Sequence, residues 1–170
     1  YPRFSRPPTI RGPGLPPTLT AVPQDVFQSV DRAAADWRVG KIATADLPVK
    51  DWVPQEWVRF IEGMPETLKP EQLAELDAAW HFTGTTNVEI AQRWYPLTVR
   101  SSYLAARPSM AAFLERIGRR KLIMPTYGAL AKTPDGLVFA QEVFAKARPG
   151  YHPITTASVE QTLAEGTAKR

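Results

Sequence analysis

Apolar side chains recur at steps of three and four along most of the chain, the spacing that keeps one face of an α-helix buried. Val26, Val30, Ala33 and Trp37 set the first stripe, and Gly40 stands where it would stop, so the pattern predicts a helix over residues 24–38. Trp57, Phe60, Ile61 and Met64 follow Pro54-Gln55-Glu56, and Leu73, Leu76 and Trp80 follow Pro70-Glu71-Gln72. Both openings put a proline where a missing N–H is harmless and a glutamate where the helix dipole favours it. Asn87 is placed to cap a longer helix carrying Ile90, Trp94 and Leu97 and reaching towards Tyr103, with Pro96 expected to kink it. Pro108 opens another, carrying Met110, Phe113, Leu114 and Ile117, which Gly118 is expected to close in the left-handed conformation. Three more are predicted over 125–132, 135–147 and 153–164. No window alternates strictly enough for a strand, and only 121–124 reads as locally extended. Seven or eight helices with short connections imply an all-α domain of layered or superhelical helix pairs, without a repeat of fixed period.

Composition adds a boundary. Seven of the 17 prolines lie in the first 23 residues, which are predicted to form an extended linker or strap, leaving 24–170 as the helical domain. The chain opens on Tyr1 rather than a methionine and shows neither a cationic leader nor an apolar signal core, so it reads as a piece of something longer. The length of 170 residues suits one domain, and no apolar run is long enough to span a bilayer, so no membrane association is expected. With no cysteine and two separated histidines, His81 and His152, neither a disulfide framework nor a self-contained zinc site is expected. The net charge of +4 permits an anionic partner but is low for a nucleic-acid binder, and none is expected.

The sharpest candidate for chemistry is Gly118-Arg119-Arg120-Lys121, with Arg116 a turn earlier. Cations near the end of a helix favour the dipole and can simply face solvent. In an extended loop, however, Arg119 and Lys121 would project to one side and Arg120 to the other, which suits a carboxylate held by one forked and one point-like cation. Trp80-His81-Phe82 and Trp94-Tyr95 could form a stacking cage, but their positions on buried stripes favour core packing. His81 reads as a helix-end residue and His152 as the organiser of a turn. Glu56, Glu71, Glu89 and Glu142 could pair for acid–base work, with capping or solvent contact as their ordinary role.

Four segments in order, Pro13-Gly14-Leu15-Pro16-Pro17, Asn87-Val88-Glu89-Ile90 with Arg93-Trp94, Gly118-Arg119-Arg120-Lys121 ahead of Pro125, and His152-Pro153-Ile154-Thr155, resemble the C-terminal domain of the leukotriene A4 hydrolase family. The same domain ends related bacterial zinc aminopeptidases of the aminopeptidase N-like family. The resemblance runs over about 13–163. It implies a right-handed, armadillo- or HEAT-like superhelix of antiparallel helix pairs, closing one side of the cleft of a preceding zinc domain of the same polypeptide. It also implies that zinc, its ligands and the general-base glutamate belong to that preceding domain, so this chain is inactive alone and holds no cofactor itself. In the family's GR-x-K segment the arginine and lysine hold the free carboxylate of a peptide substrate; they match Arg119 and Lys121. A further arginine that the family's animal enzyme has directly before the proline is replaced here by Met124, so peptide hydrolysis is implied and epoxide hydrolysis is not. The cytoplasm is the compartment implied, the periplasm the alternative. A helical-repeat module that binds a partner protein is the competing reading.

Overall fold

The computed structural model describes residues 24–169, and the strap expected over residues 1–23 lies outside them. Eight helices follow one another: α1 Gln24–Arg38, α2 Pro54–Glu62, α3 Pro70–Trp80, α4 Val88–Arg100, α5 Arg107–Arg116, α6 Arg120–Leu130, α7 Pro134–Ala147 and α8 Pro153–Ala168. Three single turns of 3₁₀ helix join some of them, and no strand occurs among the described residues.

The local signals act as their chemistry requires. Gly40, at φ 79°, turns the chain after α1, its N–H donating to the Trp37 carbonyl while that of Lys41 donates to Asp36. The Asn87 side-chain oxygen accepts from the N–H groups of Glu89 and Ile90 at 3.0 and 3.1 Å, capping α4. Proline occupies the first turn of α2, α3, α5, α7 and α8. α4 stops at Arg100, with Ser102 in the left-handed region, so Tyr103 falls beyond it.

Packing divides the helices into two layers. α2 lies against α4, α4 against α6 and α6 against α8, while α5 and α7 pair in the other layer, and α1·α2, α6·α7 and α7·α8 contacts join the two. This alternation is how stacked helix pairs bury a continuous core. The stripes read from periodicity supply that core: Val30, Ala33 and Trp37, Phe60 and Ile61, Leu73 and Leu76, Trp94 and Leu97, Met110, Phe113 and Leu114 are all buried. Aromatic contacts bind the first half, Trp37 meeting Phe60, Trp57 meeting Phe82, and Phe82 lying 4.9 Å from Trp94 between ring centres. The Trp80–Trp94 region is therefore core, not a cage. Near the chain end, a Cβ on Gly166 would come within 2.7 Å of the Ala131 carbonyl oxygen, so glycine there lets α8 close on the end of α6.

Candidate functional site

The basic segment is built differently from the loop its sequence suggested. α5 ends at Arg116, Ile117 is extended at φ −100° and ψ 115°, and Gly118 is not in the left-handed region. After the extended Arg119, α6 begins at Arg120, so Lys121 sits in a first helical turn and 121–124 is helix. Pro125, expected to open that helix, is instead inside it. A proline at this position leaves the carbonyl of Lys121, four residues earlier, without its backbone donor. The Gln92 side-chain amide on α4 supplies the substitute at 3.0 Å, which lets the helix run on upstream of the proline. The two-sided extended geometry is thereby corrected: Arg119, Arg120 and Lys121 all line one open hollow of about 420 Å³, with Met124 as the remaining lining residue.

Side chains of α6, of α8 and of the turn before α8 hold the backbone beneath these cations. The Thr155 hydroxyl, in the first turn of α8, donates to the Gly118 carbonyl at 3.3 Å. The Tyr151 hydroxyl donates to the Leu114 carbonyl in the last turn of α5, and the Tyr127 hydroxyl of α6 donates to Tyr151 at 3.0 Å. Burial pushes both phenols above their ordinary range, and the bond to Tyr151 raises Tyr127 further. Both stay protonated and available as donors. His152 orders the neighbouring turn, its Nδ1 accepting from the Ile154 N–H at 3.2 Å as the cap of α8.

These contacts define one edge of the molecule. Gln92 lies in the second turn of α4 and reaches the first turn of α6, Thr155 opens α8 and reaches the residue before α6, and a groove of about 550 Å³ is lined by Pro54 and Gln55 of α2 together with Asn87 and Glu89 of α4. The N-terminal ends of α2, α4, α6 and α8 thus stand side by side. Their partial positive charges are met differently: α2 and α4 carry Glu56 and Glu89 in the first turn, α6 carries cations. Arg119, Arg120 and Lys121 are exposed and form no ion pair among the described residues, whereas Arg107, which opens α5, is paired with Asp135. A cation at a helix N-terminus opposes the dipole, and among the described residues no ion pair offsets it.

The other candidates have structural work. His81 closes α3 at φ 53° and is exposed. Glu56 is buried and accepts from the Val53 N–H, Glu89 bonds to Arg93 at 2.6 Å, and Glu71 and Glu142 are exposed. Among the described residues no three His, Cys, Asp or Glu side chains are grouped to hold a metal ion, and no helix is long and apolar enough to cross a membrane. Sequence reasoning missed Gln92, Tyr127, Tyr151 and Thr155. The one signal that could have found Gln92 was Pro125 itself, which orphans the carbonyl of Lys121 once helix is allowed upstream.

The described residues thus form an all-helical, two-layered domain with an exposed cationic segment at one edge. The family described as leukotriene A4 hydrolase, C-terminal, matches residues 52–163, and the chain belongs to it. Its relatives include leucine aminopeptidase 2 of Pyricularia oryzae, 31% identical over 157 residues covering 89% of this chain and 25% of the relative. Leucine aminopeptidase 2 of Phaeosphaeria nodorum is 29% identical over 161 residues, with the same two shares covered. The leukotriene A-4 hydrolase homolog of Botryotinia fuckeliana is 26% identical over 159 residues, 90% of this chain and 24% of that protein. The chain therefore spans about a quarter of the length of the curated relatives it matches.

Proposed function

We propose that this domain completes one side of the substrate cleft of a leukotriene A4 hydrolase-like zinc aminopeptidase, with Arg119 and Lys121 holding the free C-terminal carboxylate of a peptide. The domain is not catalytic alone. The observation that carries the reading is the hollow at the opening of α6, where exposed cations gather with no acidic partner among the described residues. Arginine offers a planar pair of N–H donors that matches both oxygens of a carboxylate, and lysine adds a compact charge beside it. The preceding domain of the same polypeptide is the partner, and it holds the zinc, which supplies an activated water when bound there. What this chain contributes is position: a carboxylate fixed at one end of a peptide sets how far its amino terminus reaches. Gln92, Thr155 and the Tyr127–Tyr151 pair support this by fixing the backbone from which Arg119 and Lys121 project.

The test is made in the full-length protein. Arg119→Ala and Lys121→Ala are expected to lower kcat/KM for peptides with a free C-terminus by about 10- to 150-fold, the range of a charge-assisted contact worth about 1.5–3 kcal/mol. Arg119→Ala should cost more, since it removes two donors. C-terminally amidated peptides should change little, and Lys146→Ala, on the exposed face of α7, should change neither class. Equal losses on free and amidated peptides would remove the carboxylate reading.

A further inference from the structure

The third cation of the hollow has no task in the reading above. One carboxylate is satisfied by a forked arginine and a lysine. If the segment were an extended loop, Arg120 would point away and need no explanation. It is not a loop: the helix begins at Arg120, and that residue lines the same open hollow of about 420 Å³ as Arg119 and Lys121. The lining carries three formal positive charges and no carboxylate, and its remaining wall is the half-buried Met124. A single carboxylate held by Arg119 and Lys121 leaves Arg120 without a counter-charge and offsets only one of the three positive charges.

We propose that the hollow selects peptides whose last residue is acidic, Arg120 binding the side-chain carboxylate of a C-terminal Asp or Glu beside the α-carboxylate on Arg119 and Lys121. The proposal rests on the carboxylate reading and names the substrate class of that site. Two carboxylates on one residue bring two negative charges a few bonds apart, one for Arg120 and one shared by Arg119 and Lys121. The thioether of Met124 offers an apolar wall for the methylene groups between them. Mutual repulsion among the cations, which the domain bears when free, is relieved most by a doubly charged ligand.

The experiment compares Leu-Gly-Glu with Leu-Gly-Gln, each as free acid and amide, in the full-length protein. The wild type is expected to favour the Glu peptide over the Gln peptide by on the order of ten-fold in kcat/KM, expressed mainly in KM because the contact exists before and during reaction. Arg120→Ala should erase that ratio while leaving the free Gln peptide within about two-fold of wild type, and Arg120→Lys should restore part of it. A Glu-to-Gln ratio near unity in the wild type, with free acids still favoured over amides, overturns the role of Arg120 and leaves Arg119 and Lys121 standing. If free acids and amides are cleaved alike, the carboxylate reading and this proposal fall together. A ratio that survives Arg120→Ala also overturns it.

Discussion

Two hollows lie along the same edge of this domain, and they treat charge in opposite ways. At the α2–α4 end, every cation lining the groove is engaged. Arg59 binds both oxygens of Asp31 at 2.8 and 2.9 Å and holds that carboxyl below its ordinary range, while Arg93 bridges Glu62 at 2.9 Å and Glu89 at 2.6 Å. At the α6 end, three cations share a hollow without an acid. The first arrangement closes on itself: it joins α1 to α2 and α2 to α4 and leaves no charge seeking a partner. The second leaves its charges open at a helix terminus that disfavours them. The proposed anion capture is assigned to the second hollow although the first is larger, because that is where charge is available.

The comparison presumes one frame under both ends, and Trp94 tests it most severely. This side chain of α4 is fully buried, and its indole N–H donates to the Thr83 hydroxyl. Trp94→Ala should destabilise the domain by about 3–5 kcal/mol, measured by denaturant unfolding. A loss below about 1 kcal/mol would mean that α4 does not join the two ends. A smaller and more local change makes the second hollow resemble the first. Met124→Glu sets a carboxylate four residues after Arg120 on α6, close enough to engage it. In the full-length protein kcat/KM for free-acid peptides should fall on the order of ten-fold, with amides little affected, and stability should drop by about 1 kcal/mol because the half-buried Met124 packs against the core. Unchanged kinetics would show that the open charge is not used. The smallest effect belongs to Arg93→Ala. Its side chain is 28% exposed and its acidic partners more so, which limits the pairs to about 1 kcal/mol in stability, and peptide kinetics should not move. A kinetic loss as large as that of Arg119→Ala would erase the distinction between the ends.

The helices were legible because their signals are local and redundant. Each of α2, α3 and α4 has a stripe, an opening residue and a favourable first-turn charge within a dozen positions, and no other part of the molecule is needed to place it. The start of α6 was not legible for the opposite reason. Pro125 normally marks a first turn, and only a donor 33 residues earlier, Gln92, makes helix tolerable before it. Gly118 misled in the same way: as a residue type it suits a helix stop in the left-handed region, yet the chain passes from α5 to α6 through extended Ile117 and Arg119 without a left-handed residue. The assignment of Arg119 and Lys121 rests on an ordered set of motifs and does not depend on whether the segment is loop or helix. The side on which Arg120 lies depends on backbone conformation, so the wrong local structure put it on the wrong side.

The layering of α2, α4, α6 and α8 bears also on how such a domain can change. Each of the four opens on the common edge, so the edge is a row of positions filled one helix at a time. The residues around a helix start alter what is offered there, while the stripe facing the core fixes where the helix sits. A lineage can therefore exchange a paired acid for an open arginine, or the reverse, at one position of the row without repacking its neighbours. The two hollows are alternative fillings of the same kind of slot, and recognition along this edge can diversify while the frame that carries it stays constant.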